Sequence, residues 1–139
     1  GTPVQQLIDA AEGLPESTAK MINGGPMMGK AISSTEVPVV KGSSGILIMR
    51  EEEAHRKQES PCIRCSKCTY VCPMGLEPFL LSRVSRVGKF EIAEKERIMD
   101  CIECGSCQYT CPANIPLLDY LRLGKNKTGA IIRSRGKTA

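Results

Sequence analysis

The chain has no tryptophan, one histidine, and only three tyrosines and two phenylalanines among its 139 residues. A core without large rings rests on aliphatic side chains, and small domains with thin cores usually need a covalent or metal staple. So few rings leave no stacking platform for single-stranded nucleic acid, which is not expected as a partner. Acids run out at Asp119; only Arg122, Lys125, Lys127, Arg133, Arg135 and Lys137 carry charge beyond it. No apolar run approaches the roughly 20 residues that span a bilayer, so no transmembrane segment is expected. No secretory leader is visible either. The start, Gly1-Thr2-Pro3-Val4, lacks an initiator methionine and reads as part of a longer protein. Gly24-Gly25-Pro26-Met27-Met28-Gly29 is glycine-rich but has neither the ending of a phosphate loop nor the spacing of a dinucleotide fingerprint. It reads as a tight turn whose two methionines pack. His55 lies in a polar stretch and reads as a surface residue.

What remains is mildly basic, with a net charge of +4 and a hydrophobic content of 41%. Four segments differ in composition. Residues 1–50 mix Gly, Pro and β-branched residues. Val4, Leu7, Ile8 and Ala11 recur at helical spacing behind Thr2-Pro3, an expected N-cap and N1 proline, and Gly13 ends the helix. Val37-Pro38-Val39-Val40 predicts a short edge strand, and Ile46-Leu47-Ile48-Met49 a buried one. Residues 51–60 are almost wholly polar and read as a linker or an exposed helix. Residues 61–125 hold every cysteine, and 126–139 read as a solvated basic tail.

The cysteine segment is duplicated at an offset of 39 residues, the difference between Cys62 and Cys101. Cys62-Ile63-Arg64-Cys65-Ser66-Lys67-Cys68-Thr69-Tyr70-Val71-Cys72-Pro73 aligns with Cys101-Ile102-Glu103-Cys104-Gly105-Ser106-Cys107-Gln108-Tyr109-Thr110-Cys111-Pro112. An apolar helical stretch follows each copy: Phe79, Leu80, Leu81, Val84 and Val87, then Leu117, Leu118, Tyr120, Leu121 and Leu123. The duplication predicts a pseudo-twofold domain. Its connector, with helical patterns over Phe79–Val87 and Phe90–Met99, favours an all-helical one.

Each copy spells C-x2-C-x2-C-x3-C-P, the run that holds [4Fe–4S] clusters in two-cluster ferredoxins. Three closely spaced cysteines wrap three corners of a cube, and the fourth points away to serve the other cube. The next proline fixes φ and starts a helix. The expected ligands are Cys62, Cys65, Cys68 and Cys111 for cluster I, and Cys101, Cys104, Cys107 and Cys72 for cluster II. Structural zinc would leave Cys68 and Cys107 surplus. A disulfide framework would need an oxidising compartment and strained short-range pairs. Ile63 and Ile102 are expected to shield the clusters; Tyr70 and Tyr109 are expected either to do the same or simply to pack. Ser66 replaces the Gly105 of the second copy, a small doubt about loop geometry. No acid–base pair, nucleophile triad or phosphate loop stands beside the cysteines. Outer-sphere electron transfer is therefore expected, with no catalytic residue.

Beyond the cysteines, GTPVQQLIDAAEGLP, NGGPMMGKA, PVVKGSSGILIM, CIRCSKCTYVCPMGLEP and ERIMDCIECGSCQYTCPANIPLLDYLRLGK resemble the C subunit of the Rnf (Rsx) electron-transport complex over roughly residues 1–125. The resemblance implies an α+β chain: a β-grasp-like ligand-binding unit, then a two-cluster ferredoxin domain. It implies a peripheral place on the cytoplasmic face of the bacterial inner membrane, beside a ferredoxin-like subunit and membrane subunits. The parent complex couples electron transfer between NADH and ferredoxin to ion translocation, with FMN and NADH bound upstream of Gly1. An iron–sulfur subunit of a heterodisulfide reductase-like or glycolate oxidase-like complex is the alternative.

Overall fold

The computed structural model describes residues 1–136. It falls into two compact units, Gly1–Arg56 and the remainder from Lys57. Among the described residues, no helix is long and apolar enough to cross a membrane.

The first unit holds α1 (Val4–Ala10), β1 (Thr18–Asn23), β2 (Lys30–Ile32), β3 (Ile46–Arg50) and α2 (Glu51–Ala54). The strands form one antiparallel sheet in the order β2-β1-β3, with Met21 opposite both Ile32 and Ile48. α1 buries Val4 and Ile8, whereas Leu7 stays exposed. Pro3 is the N-cap rather than the first helical residue, because it carries an extended ψ of 144° and bridges to Pro38. The predicted strand at Val37–Val40 is only that bridge. The Val4 amide donates to the Val37 carbonyl (3.0 Å) and Val39 to Thr2 (2.7 Å), while Pro38 has no N–H to extend a ladder. β3 is half-buried rather than buried, since β1 takes the centre and leaves β3 at an edge.

The glycine-rich turn is set by close approach. A Cβ on Gly29 would lie 2.5 Å from the Gly25 carbonyl oxygen and would also strike Ile22 Cγ2. Met27 and Met28, expected to pack, are both exposed. Residues 51–54 form α2, which packs on β1 and β3, so only part of the polar stretch is a connector. His55 is exposed.

The second unit is helical throughout its described elements: α3 (Lys67–Tyr70), α4 (Pro78–Arg86), α5 (Phe90–Lys95), a 3-10 turn at Ile98–Asp100, α6 (Ser106–Tyr109) and α7 (Leu117–Arg135). Pro78 occupies the first turn of α4, where a missing N–H costs nothing. α4 packs along α7, and Leu76, Leu81, Val84, Ala93, Ile98, Leu117 and Leu121 form the core between the helices. The expected solvated tail is a correction: 126–135 continue α7. Thr128 is fully buried and its hydroxyl donates to the Phe90 carbonyl (3.4 Å), and Arg135 pairs with Glu94 at 2.8 Å. One apolar face every third or fourth residue suffices to dock a basic helix. Lys137 lies outside the described residues.

Candidate iron–sulfur centre

The two cysteine loops adopt one backbone course. Arg64 and Glu103 sit at φ +55° and +56°, Ser66 and Gly105 at +58° and +81°, and Gly75 and Asn114 at +61° and +53°. Each pair is 39 residues apart, as Cys62 and Cys101 are. The hydrogen bonds repeat as well. Tyr70 N donates to Ser66 O and Tyr109 N to Gly105 O, both at 3.0 Å; Cys72 N donates to Thr69 O and Cys111 N to Gln108 O, both at 3.2 Å. Left-handed Arg64, Ser66 and Glu103 cost about 1–2 kcal/mol each relative to ordinary backbone. Such strain persists only where the surroundings demand it. Alternate left-handed residues turn successive N–H groups to one side, the anion-binding arrangement a thiolate-ligated cluster needs. The Arg64 amide approaches Cys62 Sγ at 3.5 Å, and the Leu76 amide approaches Cys72 Sγ at 3.4 Å.

All eight cysteines are free. Each loop encloses a hollow. One, of about 280 Å³, is lined by Cys62, Cys65 and Cys68 of the first copy and Cys111 of the second, with Ile63, Phe79, Ile115 and Leu117. The other, of about 20 Å³, is lined by Cys101, Cys104 and Cys107 of the second copy and Cys72 of the first, with Leu76, Leu81, Leu118 and Leu121. α3 packs against α6, and that contact carries each fourth cysteine across to the other loop. Four cysteines lining each hollow, with amides directed at sulfur, match the donor set of a [4Fe–4S] cube.

The two halves differ in burial. Cys62 and Cys65 are exposed, whereas Cys107 is buried and Cys101 and Cys104 partly so. Burial pushes the Cys107 thiol up to about 12, helped by the neighbouring Cys101 thiol. Burial also raises Cys101, opposed by the Glu103 amide and by Lys125. Lys125 Nζ donates to the Cys101 carbonyl at 2.5 Å and stands 3.5 Å from Glu103, which also takes Arg122 Nε at 3.2 Å. This network was not expected from sequence, although the Arg64/Glu103 charge reversal between the copies was visible there. Ile63 and Ile102 each line a hollow, as expected of shielding residues, yet both keep an exposed side. Tyr70 and Tyr109 shield neither: they are 93% and 84% exposed and line neither of these hollows.

The family model for the 4Fe-4S dicluster domain matches residues 61–115. The C subunit of an ion-translocating oxidoreductase complex from Rhodobacter capsulatus is 48% identical over 127 residues, covering 91% of this chain and 24% of the relative. The C subunit of the Na(+)-translocating ferredoxin:NAD(+) oxidoreductase complex of Acetobacterium woodii is 43% identical over 137 residues, 99% of this chain and 30% of the relative. The proton-translocating counterpart from Clostridium ljungdahlii is 43% identical over 96 residues, 69% of this chain and 21% of the relative. The chain thus spans less than a third of the length of these relatives. Eight cysteines in a dicluster domain imply two [4Fe–4S] clusters. This chain is a homologue of part of the C subunit of Rnf-type ion-translocating oxidoreductase complexes, and it carries their 4Fe-4S dicluster domain.

Proposed function

We propose that this chain is the electron-relay segment of an Rnf-type complex. Cys62, Cys65, Cys68 and Cys111 hold one [4Fe–4S] cluster, and Cys101, Cys104, Cys107 and Cys72 hold the other. The observation that carries this reading is the crossed lining of the two hollows, each with three cysteines from one copy and one from the other. Each cluster, when bound, supplies a reversible one-electron couple. The chain's own residues do the rest. The left-handed loops hold amides toward sulfur, and Leu81, Leu118 and Leu121 exclude water from the second hollow. The exchanged fourth cysteines tie the halves together, so loading is also folding free energy.

The parent activity is ferredoxin:NAD oxidoreduction coupled to ion translocation, as the relatives' names state for them. Partners are the other subunits of that complex, including a ferredoxin-like subunit and the membrane subunits, on the cytoplasmic face of the bacterial inner membrane. Residues 1–139 carry no nucleotide fingerprint, so NADH and FMN belong to parts of the relatives outside the matched segment. The test is metal and sulfide analysis of anaerobically prepared protein. About eight iron and eight acid-labile sulfide per chain are expected, with a brown absorbance near 400 nm that bleaches on reduction. Zinc without labile sulfide, even after anaerobic reconstitution, would overturn the reading.

A further inference from the structure

The two hollows differ in charge and in contact with water. The first is lined by Arg64 and Arg83 and by no acid. The second is lined by Glu103 and by no cation. Arg64 and Glu103 are matching residues of the two copies, as are Arg83 and Arg122. In the second copy, Glu103 pairs with Arg122 at 3.2 Å and with Lys125 at 3.5 Å, so the acid offsets the nearby cations. In the first, among the described residues, neither Arg64 nor Arg83 has a carboxylate within salt-bridge reach. Lys67 stands in place of Ser106 and adds another exposed cation. Burial runs the same way. Cys62 and Cys65 of the first ligand set are exposed, whereas Cys107 of the second is buried and Cys72, Cys101 and Cys104 partly so.

We propose that Arg64 and Glu103, at one register position of the duplicated loop, hold the two clusters at different reduction potentials, with the first-loop cluster at the higher one. The inference rests on the cluster assignment above. A [4Fe–4S] cube held by four thiolates is an anion, and an added electron makes it more so. Nearby cations and water therefore favour the reduced form, while burial and a carboxylate oppose it. Charge and solvent contact thus both favour reduction at the first site. Contacts to sulfur do not reverse this order. Each ligand set receives one backbone amide, Arg64 N on Cys62 Sγ at 3.5 Å and Leu76 N on Cys72 Sγ at 3.4 Å. Ser106 Oγ lies 3.5 Å from Cys104 Sγ and favours the second site, but one long neutral contact is weaker than a full charge. In the half-reduced chain the electron therefore rests at the first site. The step balances: one electron leaves the second site and enters the first, with no bond broken and no proton moved. The duplication supplies two like sites, and the exchange of Arg for Glu gives the pair a downhill direction.

The test is an anaerobic redox titration of the full cluster-loaded chain, followed by electron paramagnetic resonance. Two midpoints are expected, separated by about tenfold or more in the reduction equilibrium, ~59 mV for one electron. Arg64→Glu installs the residue the second copy already has. Glu103 adopts φ +56° against +55° for Arg64, so this backbone accommodates Glu. The variant should lower the upper midpoint by about tenfold in its equilibrium and shift the lower one by less than about twofold. Glu103→Gln keeps the side chain's size, removes its charge, and should raise the lower midpoint by about threefold in its equilibrium. Lys127→Glu, exposed on the far half of α7, makes the same change in net charge as Arg64→Glu. It should move neither midpoint by more than about twofold. Coincident midpoints in the unmodified chain, a shift of the lower midpoint by Arg64→Glu, or equal shifts from Arg64→Glu and Lys127→Glu would overturn the proposal. Iron and sulfide analysis of each sample separates the readings. Intact clusters with any of these outcomes refute the tuning alone, whereas an unmodified chain that takes up no clusters refutes the cluster assignment as well.

Discussion

Gly124 of α7 is a point of tight contact with α4, and these two helices help to line both hollows. A Cβ built there would lie 2.6 Å from Ile98 Cδ1 and 2.8 Å from Ser85 Cβ, and would collide with Ser85 Oγ. Ile98 and Ser85 are both buried, so neither can swing into solvent. Gly124→Ala therefore sets two effects against each other. Alanine favours the helix by about 1 kcal/mol over glycine. Overpacking a tight contact costs about 1–3 kcal/mol, and overlap of this depth belongs at the upper end. The net expectation is a loss of about 2 kcal/mol, or ~8–16 °C in Tm for a domain of this size. The assay is circular dichroism on cluster-loaded protein under anaerobic conditions at a fixed scan rate, since cluster loss makes unfolding irreversible. Absorbance near 400 nm should fall at the same temperature, because α4 and α7 supply Leu81, Leu118 and Leu121 to one hollow and Arg83 and Leu117 to the other. Ser85 provides the check. Its hydroxyl is buried without a hydrogen-bond partner. Ser85→Ala alone is expected to leave Tm unchanged or raise it. Ser85→Gly in the Gly124→Ala background removes the Ser85 Oγ and Cβ contacts, leaves Ile98 Cδ1 at 2.6 Å and places a glycine in α4, so it should recover only part of the loss. A Gly124→Ala protein as stable as the parent would refute this close packing of α4 on α7.

Cys111→Ala should damage the cluster held by the first loop and Cys72→Ala the other, read by electron paramagnetic resonance of the reduced proteins; loss in the uncrossed sense would sink the ligand assignment. Cluster loading must displace thiol protons, and burial holds those of Cys101 and Cys107 above the ordinary value of 9.0. Anaerobic reconstitution should therefore release protons and proceed more completely at pH 8.5 than at pH 6.5. The same raised thiols bind protons more tightly in the folded, unloaded chain than in the unfolded one. Their contribution to its stability is present below about pH 9 and is lost as pH rises towards about 12. Gly29→Ala should unfold the first unit while leaving iron and sulfide content intact, because its Cβ would press on the Gly25 and Asn23 carbonyls (2.5 and 3.0 Å), both within that unit; loss of clusters in that variant would contradict the independence of the two units.

The cysteine spacing and the duplication were enough to read the chemistry from sequence, because loop geometry is local. Three residues per step, a proline after the fourth cysteine and an apolar helical period need no distant contact to be recognised. α1, α4 and α7 began close to where their periods and prolines indicated, for the same reason. The edge position of β3, the reduction of Val37–Val40 to a bridge, and the burial of Thr128 inside a basic stretch depended on which neighbours the chain met. Tyr70 and Tyr109 repeat in register and still face outward, since a repeated residue need not share the burial of its loop. The charge difference between the copies was written in Arg64 and Glu103, but its meaning was not. Only the fold brings Glu103 to Arg122 and Lys125, and sets Arg64 beside Arg83 with no acid between them. Bond geometry along the chain decided what each loop can hold, and packing around each copy decided how deeply each is buried.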